Sequence, residues 1–299
     1  MTTIPRTGRP APEQQGSSLL VRGLRRIALH ASVIGLMVLW LIPTIGLLVN
    51  SFRGADAVAS SGWWNGLLAP SNLSLDNYAS VIGQSGIVDA FVNSLFITIP
   101  ATIIPIMVAA FAAYAFSWMN FPGRNLLFVF FVGLLVVPLQ TTLIPILRLF
   151  ATLGINGQFL ALWLAHTGYG LPFAVYLLRN FMGSLPREVF ESAAIDGASP
   201  VVSFIRLALP MSIPAIAALA IFQFLFVWND LLVALTYIGA SNSQNLPLTV
   251  AVSNLVSSLG DGWQLLGAAA FLSMALPLAV FFALQRYFVR GITGGAVKG

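Results

Sequence analysis

The sequence predicts an all-α integral membrane protein with six transmembrane helices and both termini in the cytoplasm. Three observations lead there. Hydrophobic residues make up 58% of the 299 residues, while only 8% are charged and mean hydropathy is +0.89. So few charges could not cover such a core in water, and apolar runs at this density mean membrane spans. The apolar residues also fall into six runs of spanning length. Finally, the net charge of +5 comes from basic residues placed at the ends of those runs. Membrane topology explains that placement better than a nucleic-acid partner does.

Taken in order, residues 1–26 are rich in Pro, Gly, Ser and Gln and read as a disordered cytoplasmic tail ending in "RGLRR". The first apolar run, 27–49, is too long for a signal-peptide core and has no A-x-A-like cleavage site, so it is read as a retained span. Further spans are expected at about 91–118, 126–148, 158–182, 211–235 and 263–286. At about 1.5 Å per residue each exceeds the ~30 Å hydrocarbon layer. Prolines 100, 105, 138, 145 and 172 lie inside these spans, where neighbouring helices meet the freed carbonyls and the kinks shape a cavity.

With the N-terminus inside, twelve basic residues (Arg6, Arg9, Arg22, Arg25, Arg26, Arg124, Arg179, Arg187, Arg206, Arg286, Arg290, Lys298) are cytoplasmic. Only Arg53 and Arg148 lie outside, a strong positive-inside bias. The membrane-spanning core is thus 27–288 and a second cytoplasmic tail is 289–299. In the outer loop 50–90, Trp63 and Trp64 read either as interfacial anchors or as a docking point for an outer partner.

The loop 183–210 is more polar than its surroundings. Ser184 and Pro186 suit a helix start, and "REVFESAAI" continues it. Gly197 supplies a position free to take positive φ and stop that helix. A second short helix, "VVSFIRLAL", is expected to end at Pro210. The reading is two short helices at a glycine elbow, too short and too polar to cross the bilayer.

The run "ESAAIDGA", followed by Phe204, Leu209-Pro210 and Pro214, resembles the EAA signature of binding-protein-dependent ABC importer permeases, departing from it at Ser192. The stretches "NYASVI", "FVNSL", "FVWNDLL", "LPLTVAV" and "LQRYFVRGITGGAVKG" extend the likeness to the carbohydrate-uptake branch, and within it to the maltose-type smaller permease subunits. The resemblance implies the type I ABC importer permease fold in a multi-pass cell-membrane protein. It also implies four kinds of partner: a second homologous permease, a cytoplasmic ATPase dimer carrying ATP and Mg, an extracytoplasmic sugar-binding protein, and the sugar itself. On that reading the loop is an amphipathic coupling element. Phe190, Ala193 and Ala194 lay its apolar side into a groove on the ATPase, and Glu191 and Asp196 make charge-assisted contacts at the rim. Gly197 fixes the angle between the two helices, Phe204 belongs to the same coupling loop, and Pro210 marks the re-entry into span five. The terminal "GITGGAVKG", with Gly294, Gly295 and Lys298, either frays or reaches between the ATPase subunits.

Missing chemistry points the same way. The sequence has no G-x-x-x-x-G-K-[ST], and its one lysine is Lys298, so ATP hydrolysis is expected on another polypeptide. It has no cysteine, and two histidines, His30 and His166, make no metal motif. This chain is expected to bind no cofactor or metal, to have no catalytic residues and to take no nucleic acid. Polar groups inside the spans cost energy and mark a candidate substrate pathway. His166, Tyr169 and Phe173 share one side of span four, and Gln223, Phe226 and Asp230 share one of span five, with Asn229 adjacent. Lining of a sugar cavity and hydrogen bonding between helices both fit these residues. An importer for a polyol or glycerol phosphate ester, an ion-coupled transporter relying on Asp230, and a non-transporting scaffold are the rival readings.

Overall fold

The structure, a computed structural model, describes residues 14–83, 86–239, 244–255 and 262–293. All regular structure among them is helical. Helix α1, Gln14–Ser51, runs 38 residues, about 57 Å, well beyond a bilayer core. It starts inside the segment read as a tail. The last proline before it is Pro12, and the sequence from Gln14 onward holds no further proline until Pro43. Its membrane portion is largely exposed, with Trp40 at 85%.

Beyond α1 the outer loop folds into short helices, α2 (Ala55–Ser60), α3 (Trp64–Leu68) and α4 (Asp76–Gly83). Buried Arg53 holds them together by donating to the carbonyls of Ala57 (2.7 Å), Gly62 (3.1 Å) and Ser61 (3.3 Å), and to Asn50 Oδ1 at 2.9 Å. Asn77 Nδ2 donates back to the carbonyls of Ser51 and Arg53, at 2.9 and 2.8 Å. Trp63 lies against Gly46 of α1, whereas Trp64 is exposed.

The centre of the bundle is α5 (Ile87–Trp118) against α8 (Phe159–Met182), the most extensive helix contact in the molecule. Buried Ala101, Ala109, Ala110 and Ala113 on one helix, and Ala161, Ala165 and Ala174 on the other, let the backbones approach. Between them the third span is broken. Helix α6 (Arg124–Leu134) and helix α7 (Leu139–Thr152) meet at 101°, where a continuous span over 126–148 was expected. Pro138 stands at the N-cap of α7, not inside a helix. It cannot donate to the ladder and it turns Val137 away from helical geometry, so the break falls there.

The loop after α8 forms α9 (Arg187–Ile195) and α10 (Pro200–Met211), the latter with a π-turn over Phe204–Ala208. Pro210 does not end α10 as expected. It lies in the last turn, where its missing N–H removes the bond to the Arg206 carbonyl next to the π-turn. The chain bends 71° at Ser212 into α11 (Ile213–Trp228). Span five, expected to reach 235, stops at Trp228. It is followed by α12 (Leu232–Tyr237), α13 (Leu248–Ser253) and the last long helix, α14 (Trp263–Thr293). Among the described residues four helices are long and apolar enough to cross a membrane, and up to six spans result when each bent pair counts as one.

Candidate functional site

The elbow expected to meet an ATPase is built from α9, Gly197 and α10. Asp196 N donates to Ser192 O and Ala198 N to Ala193 O as the helix closes. Gly197 takes φ +82°, a conformation that strains any residue with a Cβ. Ser199 then caps α10, accepting from Val202 N at 3.4 Å. Phe190 departs from expectation. It is 8% exposed and stacks on Trp118 at the end of α5, with ring centroids 3.8 Å apart and planes 20° apart. It therefore fastens α9 to its own bundle instead of facing outward. Trp118 is itself fixed by Nε1 donating to Met182 O at 3.1 Å. Phe204 also points inward, between Phe111 (4.8 Å) and Tyr114 (5.3 Å). The outward apolar groups are Val189 and Ile195, the latter 87% exposed. Ala193 is half-buried, and Glu191, Ala194 and Asp196 are exposed. Between α9 and the end of α5 lies a polar cleft of about 480 Å³ whose walls include Arg124, Arg187 and Glu191.

A second cleft, about 530 Å³, opens beside the α6–α7 break. Tyr169, Gly168 and Pro172 of α8, Thr142 and Ile146 of α7, and Phe226 of α11 line it, and none of its lining residues is charged. Thr142 Oγ1 donates to Tyr169 Oη at 3.1 Å, and the Tyr169 and Tyr237 hydroxyls lie 2.8 Å apart. Of the residues expected along the pathway, Tyr169 and Phe226 are brought together here. Phe173 is exposed but stands outside this lining. Gln223 is buried and donates to Ala101 O (3.1 Å) and His166 O (3.4 Å), tying three helices. His166 is 1% exposed, with Phe226 edge-on at 5.8 Å. Asp230 is a helix cap: Oδ1 accepts from Val233 N and Oδ2 from Ala234 N, at 3.2 and 3.0 Å. Asn229 is exposed, its amide donating to Leu225 O at 2.9 Å. Gln223 and Asp230 thus join helices and cap one, the interhelical alternative to cavity lining. Gly294, Gly295 and Lys298 lie outside the described residues.

Sequence reasoning missed Trp118, Thr142 and Tyr237. Trp118 at the end of span two carried a signal, because an interfacial tryptophan next to "MNFPGR" marks a helix end. Thr142 follows the helix-breaking Pro138 by one turn. Tyr237 carried none, because its placement depends on the break after Trp228.

Residues 105–294 match the family described as the binding-protein-dependent transport system inner membrane component. The match covers both clefts and the elbow. The chain belongs to this family. It is the permease of a binding-protein-dependent ABC importer, a multi-pass inner-membrane component and not the ATPase. This permease is 53% identical over 277 residues to the osmoprotective compounds uptake permease protein GgtD of Synechocystis sp., covering 92% of this chain and 93% of that one. It is 40% identical to the alpha-glucoside transport system permease protein AglG of Rhizobium meliloti, over 91% of this chain and 97% of that one. In fold, the permease matches a chain of a bacterial ABC transporter involved in the import of the acidic polysaccharide alginate. The TM-score is 0.76 at 19% identity, covering 94% of this chain and all of that one.

Proposed function

We propose that this chain forms half of the translocation pathway of an importer for a neutral sugar or glycoside, and that the elbow of α9 and α10 receives the motion of a cytoplasmic ATPase dimer. The observation that carries the substrate class is the lining of the cleft at the α6–α7 break. Phe226 and the Tyr169 ring offer flat apolar faces, and Thr142 and Tyr169 offer hydroxyls, with no charge among them. A sugar presents apolar ring faces and hydroxyls that suit such a surface. A glycerol phosphate ester needs a cation, and this lining supplies none. The names of the two sequence relatives, an osmoprotectant permease and an α-glucoside permease, favour the same class. Asp230 caps α12, which weakens the ion-coupled alternative.

The companions on this reading are a second homologous permease, an ATPase dimer that binds ATP and Mg, and an extracytoplasmic sugar-binding protein. Gly294, Gly295 and Lys298 are assigned to a contact with the ATPase. Both termini are cytoplasmic, as the basic residues require.

The test is copurification in mild detergent, with the companions identified and the ligand of the recovered binding protein determined. An ATPase, a second permease and a neutral glycoside ligand are expected. A phosphorylated ligand would overturn the substrate class, and uptake that survives an inactive ATPase but collapses with the proton gradient would overturn the importer mechanism. Deletion of 292–299 is expected to lower ATPase stimulation; unchanged stimulation removes the tail from the contact.

A further inference from the structure

Asp230 touches more elements than any pathway role requires. Its carboxylate caps α12 through Val233 N and Ala234 N. Its own carbonyl accepts from Thr249 Oγ1 of α13 at 2.7 Å. Its Oδ2 also lies 3.6 Å from His166 Nε2 on α8. One residue at the end of α11 therefore meets α8, α12 and α13 together. The segment around α13 is fastened further to the bundle. Leu248 N donates to Ser94 Oγ at 2.7 Å, Asn93 Nδ2 to the carbonyls of Gln244 and Leu246, and Asn245 Nδ2 to Gly157 O at 2.8 Å.

The separation of 3.6 Å is the informative number. It lies just beyond the 3.4 Å of the Gln223 bond to His166 O, and beyond the usual hydrogen-bond range of about 2.7–3.2 Å. His166 is almost fully buried, and its Nδ1 has no hydrogen-bond partner among the described residues. Nε2, not Nδ1, is the ring atom that faces the carboxylate, so a closer approach of α8 to the junction converts this contact into a hydrogen bond. An approach of less than about 1 Å is enough. Gln223 holds the backbone at His166 to α11 from below, so α8 and the junction already share a pivot. At its other end α8 runs directly into α9 and the elbow.

We propose that His166 and Asp230 are positioning residues that form a latch. When α8 shifts, the pair closes to hydrogen-bonding distance, and the cap of α12 and the Thr249 tether carry α12 and α13 along. A displacement entering at the cytoplasmic elbow thereby reaches the opposite end of the bundle, where Asp230 and α13 lie on the topology proposed above. The latch rests on the reading that the elbow receives the motion of the ATPase.

The test uses the complete complex in proteoliposomes, comparing solute taken up per ATP hydrolysed for His166→Ala, Asp230→Asn and the double variant. Asparagine keeps only one of the two capping oxygens of α12, so thermal stability is measured beside uptake to separate loss of the cap from loss of the latch. Each single variant is expected to lower uptake per ATP by about tenfold, in the usual range of coupling between sites, with ATPase stimulation kept. The double variant is expected to be no worse than either single one. His166→Gln, which restores a donor toward Asp230, is expected to recover most of the loss, a rescue that simple packing does not produce. Unchanged uptake per ATP, additive losses, or failure of His166→Gln to rescue each overturns the latch. Should His166→Ala not accumulate in the membrane, His166→Gln against Asp230→Asn decides on the same measure. Gly197→Pro is run in parallel. If it keeps normal uptake, the elbow reading itself has failed; if it abolishes uptake while the latch variants do nothing, only the latch has.

Discussion

The elbow of α9 and α10 and the cluster around His166 are both polar interruptions of an apolar chain, yet they are built on opposite terms. At the elbow the polar groups Glu191, Asp196 and Ser199 are exposed and the aromatic ones, Phe190 and Phe204, turn inward onto Trp118 and Tyr114. In the cluster the polar groups are the buried ones. Gln223 bonds two carbonyls, Asp230 caps a helix, and the exposed partner is the aromatic Phe226. On the function proposed above the elbow is the surface that is pushed, while the cluster is a set of joints. In water a polar side chain is free to serve a partner. Inside a bundle its first obligation is to another backbone.

The sharpest way to break that contrast is Gly197→Pro. The residue sits at φ +82° and proline is locked near −65°, so the elbow cannot form. Uptake is expected to be lost with membrane abundance unchanged, measured in the same vesicles. Gly197→Ala, at a cost of about 1–2 kcal/mol, is expected to give an intermediate loss. Trp118→Ala comes next. It removes the stack under Phe190 and the bond to Met182 O, and a large truncation of this kind costs roughly 3 kcal/mol. Uptake is expected to fall more than ATP binding does, because α9 loses its fastening while the ATPase is untouched.

Within the cluster the effects are smaller. A Cβ at Gly170 would stand 2.5 Å from Gln223 Oε1. Gly170→Ala is therefore expected to displace Gln223 from its carbonyls and lower thermal stability by about 1–2 kcal/mol, with the elbow unaffected. The smallest effect is expected from Tyr169→Phe, which removes the hydroxyl shared with Thr142 and Tyr237. Loss of one neutral hydrogen bond, about 1 kcal/mol, is expected to raise the apparent KM for solute about fivefold with maximal uptake preserved. A change in maximal uptake alone would assign Tyr169 to structure and not to the pathway.

The same contrast explains what the sequence made legible. The six apolar runs, the polar loop and the turn at Gly197 were readable because each depends on local chemistry: hydropathy, charge, and a glycine free of a Cβ. Phe190 was misjudged because the side of a short amphipathic helix that faces its own protein depends on a neighbour, Trp118, about seventy residues away in sequence. The break at Pro138 was visible as a proline, but prolines 100, 105 and 172 remain inside helices while Pro138 does not. Tertiary contacts decide which proline ends a helix. His166, Gln223 and Asp230 stood out in the sequence as polar groups within apolar spans. Their spacing could not separate lining a cavity from joining helices, since both need the same residue types on the same face.

The central claim is that α9 meets the ATPase through its outward face. The chain has no cysteine, so a single one can be placed without background. Ile195→Cys, at a position 87% exposed on that face, is to be cross-linked in the assembled complex with a short bifunctional reagent, with Leu127→Cys on α6 as a membrane-facing control. The account predicts a cross-link from position 195 to the ATPase subunit that changes in yield with ATP, and none from position 127. A cross-link to the ATPase equally strong from both positions, or none from position 195 in a complex that still transports, would contradict it.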